Sequence, residues 1–479
     1  MKKLICAALF YLSTMLIIPP NIIAQINFIG YTVDNNINGT GGIYSCDLDN
    51  DGDNDILAAS LEDYQIIWYR NEGGNPITWT KFIIGSNVGQ AHSVYAADFD
   101  NDGDLDVVGA AYSGSPGVAY WRNDGGNPIV WTKFSVASFN NAHEVFAYDI
   151  DKDGRVDILG ASSNLNSIAW WKNDGGSPIT WTEQILTTSA SLAKSVCAGD
   201  IDGDGNNDII GAAILSNDVI LWQNEGGSPA QWSESLVDGN FNGAHRVQAI
   251  DMDKDGDLDI LGTAYVGNYV AWWRNDGGTP ISWTRQTIGT SLTDACVGIA
   301  SDLDDDGDLD VTVTVQGKNQ VVWFRNDGGS PIQWKKYIIT NSFTRPWPLF
   351  IVDIDNDGKK DIVSGSSHNG SSEIKWWKND GVVGIEKEDE LPKDIRLEQN
   401  YPNPFNPTTT ITYSIPYTSD TKLTLYNSLG QELRIFSNRQ QKAGTYSIAI
   451  DGSKLSSGIY FYNLKVDQIQ FTKKMLLLK

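Results

Sequence analysis

Carboxylates stand at fixed alternating positions seven times along this chain, in copies that begin at Asp47, Asp98, Asp149, Asp200, Asp251, Asp302 and Asp353, always 51 residues apart. Every copy fits D-x-D-x-D-G-x-x-D. A hard cation such as Ca2+ takes about six to eight oxygens, and this pattern can supply them: three carboxylates on alternate residues, a glycine for the bend, a backbone carbonyl and a closing acid. In the first copy Asp47, Asp49, Asp51 and Asp55 offer side-chain oxygens, Asp53 its carbonyl, and Gly52 the bend. The same roles fall to Asp98, Asp100, Asp102, Asp104 and Asp106, to Asp149, Asp151, Asp153, Arg155 and Asp157, and to Asp200, Asp202, Asp204, Asn206 and Asp208. They recur at Asp251, Asp253, Asp255, Asp257 and Asp259, at Asp302, Asp304, Asp306, Asp308 and Asp310, and at Asp353, Asp355, Asp357, Lys359 and Asp361. The seventh position varies through Asp, Asn, Arg and Lys, as a residue that gives only its carbonyl can. An EF-hand needs a helix on each side and Glu at position twelve, and neither is present. Mg2+ is stricter in geometry and fits less well, so about seven Ca2+ ions are expected.

Self-similarity at such a period signals a propeller or a solenoid. In residues 92–136, HSVYAAD alternates as a strand, the acidic loop follows, and DVVGAAY, GVAYW and WTKFSVA read as three further strands. Each unit is thus a four-stranded antiparallel meander. A turn such as NEGGNPITW or NDGGNPIVW joins strands three and four, with Gly and Pro setting its geometry. The seventh unit lacks a fourth strand, whereas FIGYTV at 28–33 precedes the first loop by the same distance as WTKFII precedes the second. The chain ends therefore close a ring, which protects strand edges, and the expected fold is an all-β, seven-bladed β-propeller. Sixteen of the 17 tryptophans fall on strand three or at the start of strand four and are expected to pack the blades.

The net charge of −25 is concentrated in the loops. It opposes nucleic-acid binding, which needs clustered Lys and Arg. Residues 1–24 have a signal-peptide layout, with Lys2 and Lys3, an apolar run from Leu4 to Ile18 and a cleavage site after Ala24. No other segment is long enough to span a membrane. Cys46, Cys197 and Cys296 remain in the mature chain at unmatched repeat positions and imply neither a disulfide framework nor a zinc cluster.

The loops and the strands of small and β-branched residues after them resemble the FG-GAP or VCBS repeats of calcium-binding propellers, over residues 26–381. The resemblance implies Ca2+ in the hairpin between strands one and two of each blade. After a charged linker, 382–394, the composition shifts and Trp vanishes. The markers NYPNPFNPTTTI, LYNSLGQEL, KAGTY, LSSGIYFY and TKKMLLLK in 395–479 resemble the type A sorting domain of the type IX secretion system. That resemblance implies a small C-terminal β-sandwich, recognition by the type IX secretion machinery, and a protein released or held at the outer cell surface. Asn403 and Pro404 read as structural turn residues.

The face opposite the acidic loops carries the variable connections, including SHNGSS in the seventh unit. Six residues before each acidic loop, at the expected channel mouth, stand Gly41, His92, His143, Lys194, His245, Cys296 and Trp347. Trp347 lies outside both packing zones, between prolines and beside Arg345. An aromatic platform near Arg345 and Lys194 suits a sugar or an acidic glycan, and Trp347 is the first contact candidate. No carboxylate or fourth histidine completes a zinc site there. No G-x-S-x-G, H-E-x-x-H or P-loop is present, so no catalytic residues are assigned. The sequence reads as a monomeric recognition or adhesion module for an extracellular glycan or surface protein. A calcium-dependent polysaccharide lyase or hydrolase and a purely structural surface protein stand as alternatives.

Overall fold

A computed structural model describes residues 23–367, 373–386, 394–442 and 444–479. The signal-like segment, most of the SHNGSS connection and much of the 382–394 linker lie outside the described residues. Ile26–Gly381 forms one compact unit, and the sheets of Arg396–Leu477 belong to a second.

The first unit holds seven four-stranded antiparallel sheets. Their innermost strands are Thr40–Cys46, Ala91–Ala97, Ala142–Tyr148, Ala193–Gly199, Ala244–Ile250, Ala295–Ser301 and Pro346–Val352. Each touches its two neighbours, and the seventh returns to the first, so the ring is closed around a central channel. Six blades are consecutive meanders. Blade seven takes its outer strand, Ile23–Asp34, from the start of the chain and pairs it with Ile374–Glu386. Both strands are longer than FIGYTV and its expected partner.

The second strand of each blade is buried at every residue, because sheets cover both of its faces. The ten tryptophans of the third strands are buried, and those that open the outer strands are half-buried, the first being Trp79. A large ring can enter only where its neighbour has no side chain. A Cβ on Gly160 would meet the Trp171 ring at 2.6 Å, and one on Gly262 would meet Trp273 at 2.7 Å. Each such indole removes about 150–250 Å2 from water, which makes these rings the main apolar cement of the propeller.

The second unit packs a three-stranded sheet and a four-stranded sheet around one core that includes Ile411, Tyr413, Leu423, Leu425, Tyr462, Leu464 and Met475. It is the small β-sandwich expected from the sequence. The Asn403 side-chain oxygen accepts the Leu476 N–H at 2.9 Å, so this residue fastens the NYPNPF segment to the last strand. The only helical element among the described residues is a single turn, Gln316–Lys318. No helix among them is long and apolar enough to cross a membrane.

Candidate functional site

The acidic loops connect the first and second strands of each blade. In the first, Asp47 folds the turn by accepting the backbone N–H groups of Asp51 at 3.0 Å and Gly52 at 2.9 Å, and Asp51 accepts that of Asp53 at 2.9 Å. Gly52 takes φ +95°, which a side chain would strain. The closing acid Asp55 is fully buried, with one oxygen on the Leu48 N–H at 3.2 Å and the other on the Asn71 N–H at 2.7 Å. Asp106, Asp157, Asp208, Asp259, Asp310 and Asp361 repeat this bracket. Burial pushes the Asp55 carboxyl up to about 7, against the pull of its backbone donors. The closing acids thus bind the fold together, a role beyond that of ion ligand expected from the pattern.

Each loop also keeps at least one buried carboxylate oxygen that meets no donor among the described residues: on Asp49, Asp100, Asp151, Asp200, Asp251, Asp302, Asp304 and Asp355. Carboxylate oxygens converge to within 4.8 Å of one another in the triads Asp47–Asp49–Asp51 and Asp98–Asp100–Asp106, and in corresponding groups of loops three, four and five. An unpartnered buried carboxylate oxygen costs free energy that a cation would recover.

At the opposite mouth of the channel, the innermost strand of every blade is bulged, as between Ala91 and Ser93, Ala142 and Glu144, and Ala244 and Arg246. A bulge re-aims the extra side chain, and here that residue is His92, His143 or His245. Trp347 stands among them, with ring centroids 5.5 Å from His92, 5.6 Å from His143 and 6.1 Å from His245. His143 and His245 donate from Nδ1 to the carbonyls of Lys194 and Cys296, each at 3.0 Å. This fixes their tautomers and leaves Nε2 as an acceptor, and that of His143 is buried without a partner among the described residues. Burial, with the Lys194 charge nearby, pulls His245 down to about 3 and holds His143 well below its ordinary value, so both rings are neutral.

Lys194 lines the same cavity of about 440 Å3. Among the described residues it has no ion-pair partner, and burial pulls it down to about 8, which leaves it charged at neutral pH. Arg345 stands outside the cavity lining and donates to Gln316 at 3.2 Å. Deeper in the channel, Tyr44, Tyr95, Phe146 and Phe350 form an aromatic collar, with Tyr44 and Tyr95 centroids 4.2 Å apart. Glu144 and Arg246 pair across the wall.

Residues 47–109, 98–160, 149–211, 202–262 and 302–364 match the FG-GAP-like repeat, which together cover more than half of the chain. The chain belongs to the FG-GAP-like repeat family. Residues 399–478 match the secretion system C-terminal sorting domain, which marks this FG-GAP-like repeat protein for type IX secretion to the cell surface or beyond. No curated protein matched the chain. A crystal structure of BBS1N in complex with ARL6DN, soaked with lead, shares the fold over most of this chain, and a second, soaked with mercury, was also matched. Each is 10% identical and covers 75% of this chain and 98% of its own, with TM-scores of 0.50 and 0.49.

Two sets of residues in these FG-GAP-like blades escape a reading of the sequence. The Asn that opens each NDGG-type turn looks like a turn former, yet the Nδ2 groups of Asn71, Asn173, Asn275 and Asn379 donate to a carbonyl of the adjacent blade, that of Ile354, Phe99, Ile201 or Leu303. Tyr112 and Tyr265, one residue past the second strand, lie against His92 and His245 at 5.0 and 5.5 Å. The 51-residue spacing applied to that position would have found Tyr112, Tyr265 and Gln316 together.

Proposed function

We propose that this protein is a Ca2+-stabilised, exported recognition module that binds an acidic glycan at the channel mouth. The observation that carries the reading is Trp347, held among three histidines in the cavity also lined by Lys194, whose ammonium has no ion-pair partner among the described residues. Each group matches one part of a uronic acid. The indole face suits the C–H face of a sugar ring, and Lys194 suits a carboxylate. The cavity size is that of a small-ligand site.

The oxygen donor set of the seven loops fits Ca2+, which when bound would neutralise the converging carboxylates and brace each hairpin. The first, third and fifth residues of each loop would hold it with the closing acid, and the seventh through its carbonyl. The signal peptide at 1–24, the propeller at 26–381, the linker at 382–394 and the sorting domain at 395–479 complete the reading, together with a monomeric state.

An array of uronic-acid-containing and neutral glycans tests it. Saturable binding confined to acidic glycans, weakened at least about tenfold by both Trp347→Ala and Lys194→Gln, is expected. Absence of binding, or binding unchanged by both variants, overturns the site. Shortening of the bound glycan with a new unsaturated end would replace recognition by lyase activity.

A further inference from the structure

The seven acidic loops are not equivalent, and the difference lies in one residue of the third strand. At that position blades one, two, five and six carry Arg70, Arg122, Arg274 and Arg325, and each guanidinium hydrogen-bonds the acid two residues on, Glu72, Asp124, Asp276 or Asp327. Blades three and seven carry Lys172 and Lys378 instead. Lys172 bonds Asp151 and Asp153, the latter at 2.8 Å. Lys378 bonds Asp355 and Asp357, the latter at 2.8 Å. The same two loops hold basic seventh residues, which add Arg155 on Asp153 and Lys359 on Asp357, the second at 3.4 Å.

An arginine fork is satisfied by the single carboxylate beside it, whereas an ammonium on a flexible stem acts as a point charge and can settle between two carboxylates. We infer that loops three and seven carry their own cation, and that Lys172 and Lys378 make them weak calcium sites beside five strong ones. Affinity in such loops follows the uncompensated charge of the ligand set. Blade four supports the geometric half of the argument, since Gln223 there reaches Asp202 at 2.8 Å with a neutral amide. The acid two residues on is present in blades three, four and seven as well, as Asp174, Glu225 and Asp380, so the type of side chain at this position decides whether the loop is reached.

The inference rests on the calcium reading, and the test separates the two. Calcium bound to the full chain is counted by equilibrium dialysis and isothermal titration, with circular dichroism to verify folding. About five tight ions are expected, with the remaining two at least about tenfold weaker. Lys172→Gln with Lys378→Gln raises the tight count to about seven. Gln223→Lys, which places an ammonium in a loop that lacks one, lowers it by one. Seven equivalent ions in the unaltered chain, or a count that neither the double variant nor Gln223→Lys moves, overturns the inference and leaves the calcium reading intact. No bound calcium sinks both.

Discussion

Asp34 accepts a hydrogen bond from the Tyr69 hydroxyl at 2.7 Å, and the same carboxylate oxygen meets Lys81 at 2.9 Å. Asp34 ends the outer strand of blade seven, while Tyr69 and Lys81 belong to blade one. The contact therefore fastens the strand from the start of the chain across the closure of the ring. Burial raises the Asp34 carboxyl, but these two donors and the Asn36 N–H together outweigh it and hold the group below its ordinary value.

Asp34→Ala should destabilise the propeller by about 1–3 kcal/mol, because it strips a buried hydroxyl and an ammonium of their partner. Tyr69→Phe should cost less, about 1 kcal/mol, since Lys81 keeps its carboxylate. Urea unfolding followed by tryptophan fluorescence checks both, because all 17 tryptophans precede the sorting domain. Equal midpoints for Asp34→Ala and the unaltered chain would show that the latch adds nothing.

Chelation should lower the fluorescence-detected melting temperature by at least about 10 °C, since ions that bind only the folded state stabilise it by mass action, about 2.7 kcal/mol per site at a hundredfold excess over Kd. The sorting domain has no acidic loop of this kind, and its transition should not move. A melt indifferent to chelator rejects the metal.

Asn173→Ala should cost more than Asn123→Ala. Asn173 ties its own blade to Phe99 of the neighbour at 2.8 Å, whereas Asn123 bonds Leu105 within its blade at 3.3 Å. The buried inter-blade carbonyl left alone in the first variant adds about 1–3 kcal/mol. Denaturant midpoints of the two variants decide the matter.

Acid should weaken the channel mouth through its histidines. An unfolded histidine takes up its proton near about 6.5, but folded His245 does so only near about 3. Between those values the unfolded chain binds more protons, so this contribution is intact above about 6.5 and is lost as pH falls. From pH 7.5 to 5.0 the unaltered protein should lose about 2 kcal/mol more than His245→Gln. Urea titrations with saturating calcium at the two pH values measure the difference, and equal losses contradict it.

Much of this molecule is legible in the sequence because its repeats compare seven solutions to one packing problem. Trp171 and Trp222 declare themselves as core by recurring, and Trp347 stands out by failing to recur. The meeting of Trp347 with His92, His143 and His245 is not legible, because residues from four blades converge only when bulges aim them into a closed channel. The divergence of Arg122 from Lys172 is hidden for another reason. Both are basic residues at one repeat position with the same acid two residues on, Asp124 or Asp174, and the shape of the side chain decides where each charge settles. The Asn173 side-chain oxygen serves its own turn by accepting the Gly175 N–H, a local role its neighbours in sequence suggest, while its amide reaches across to the adjacent blade, which they do not.

The strand Ile23–Asp34 precedes every other strand of the propeller, and its partner Ile374–Glu386 comes after them all. Blades one to six can each form as soon as they emerge, but blade seven must wait for the last. The opening strand therefore has no partner until the last propeller strand has been made, and the ring closes only then. For an exported protein, that interval is when it can still be threaded as an open chain.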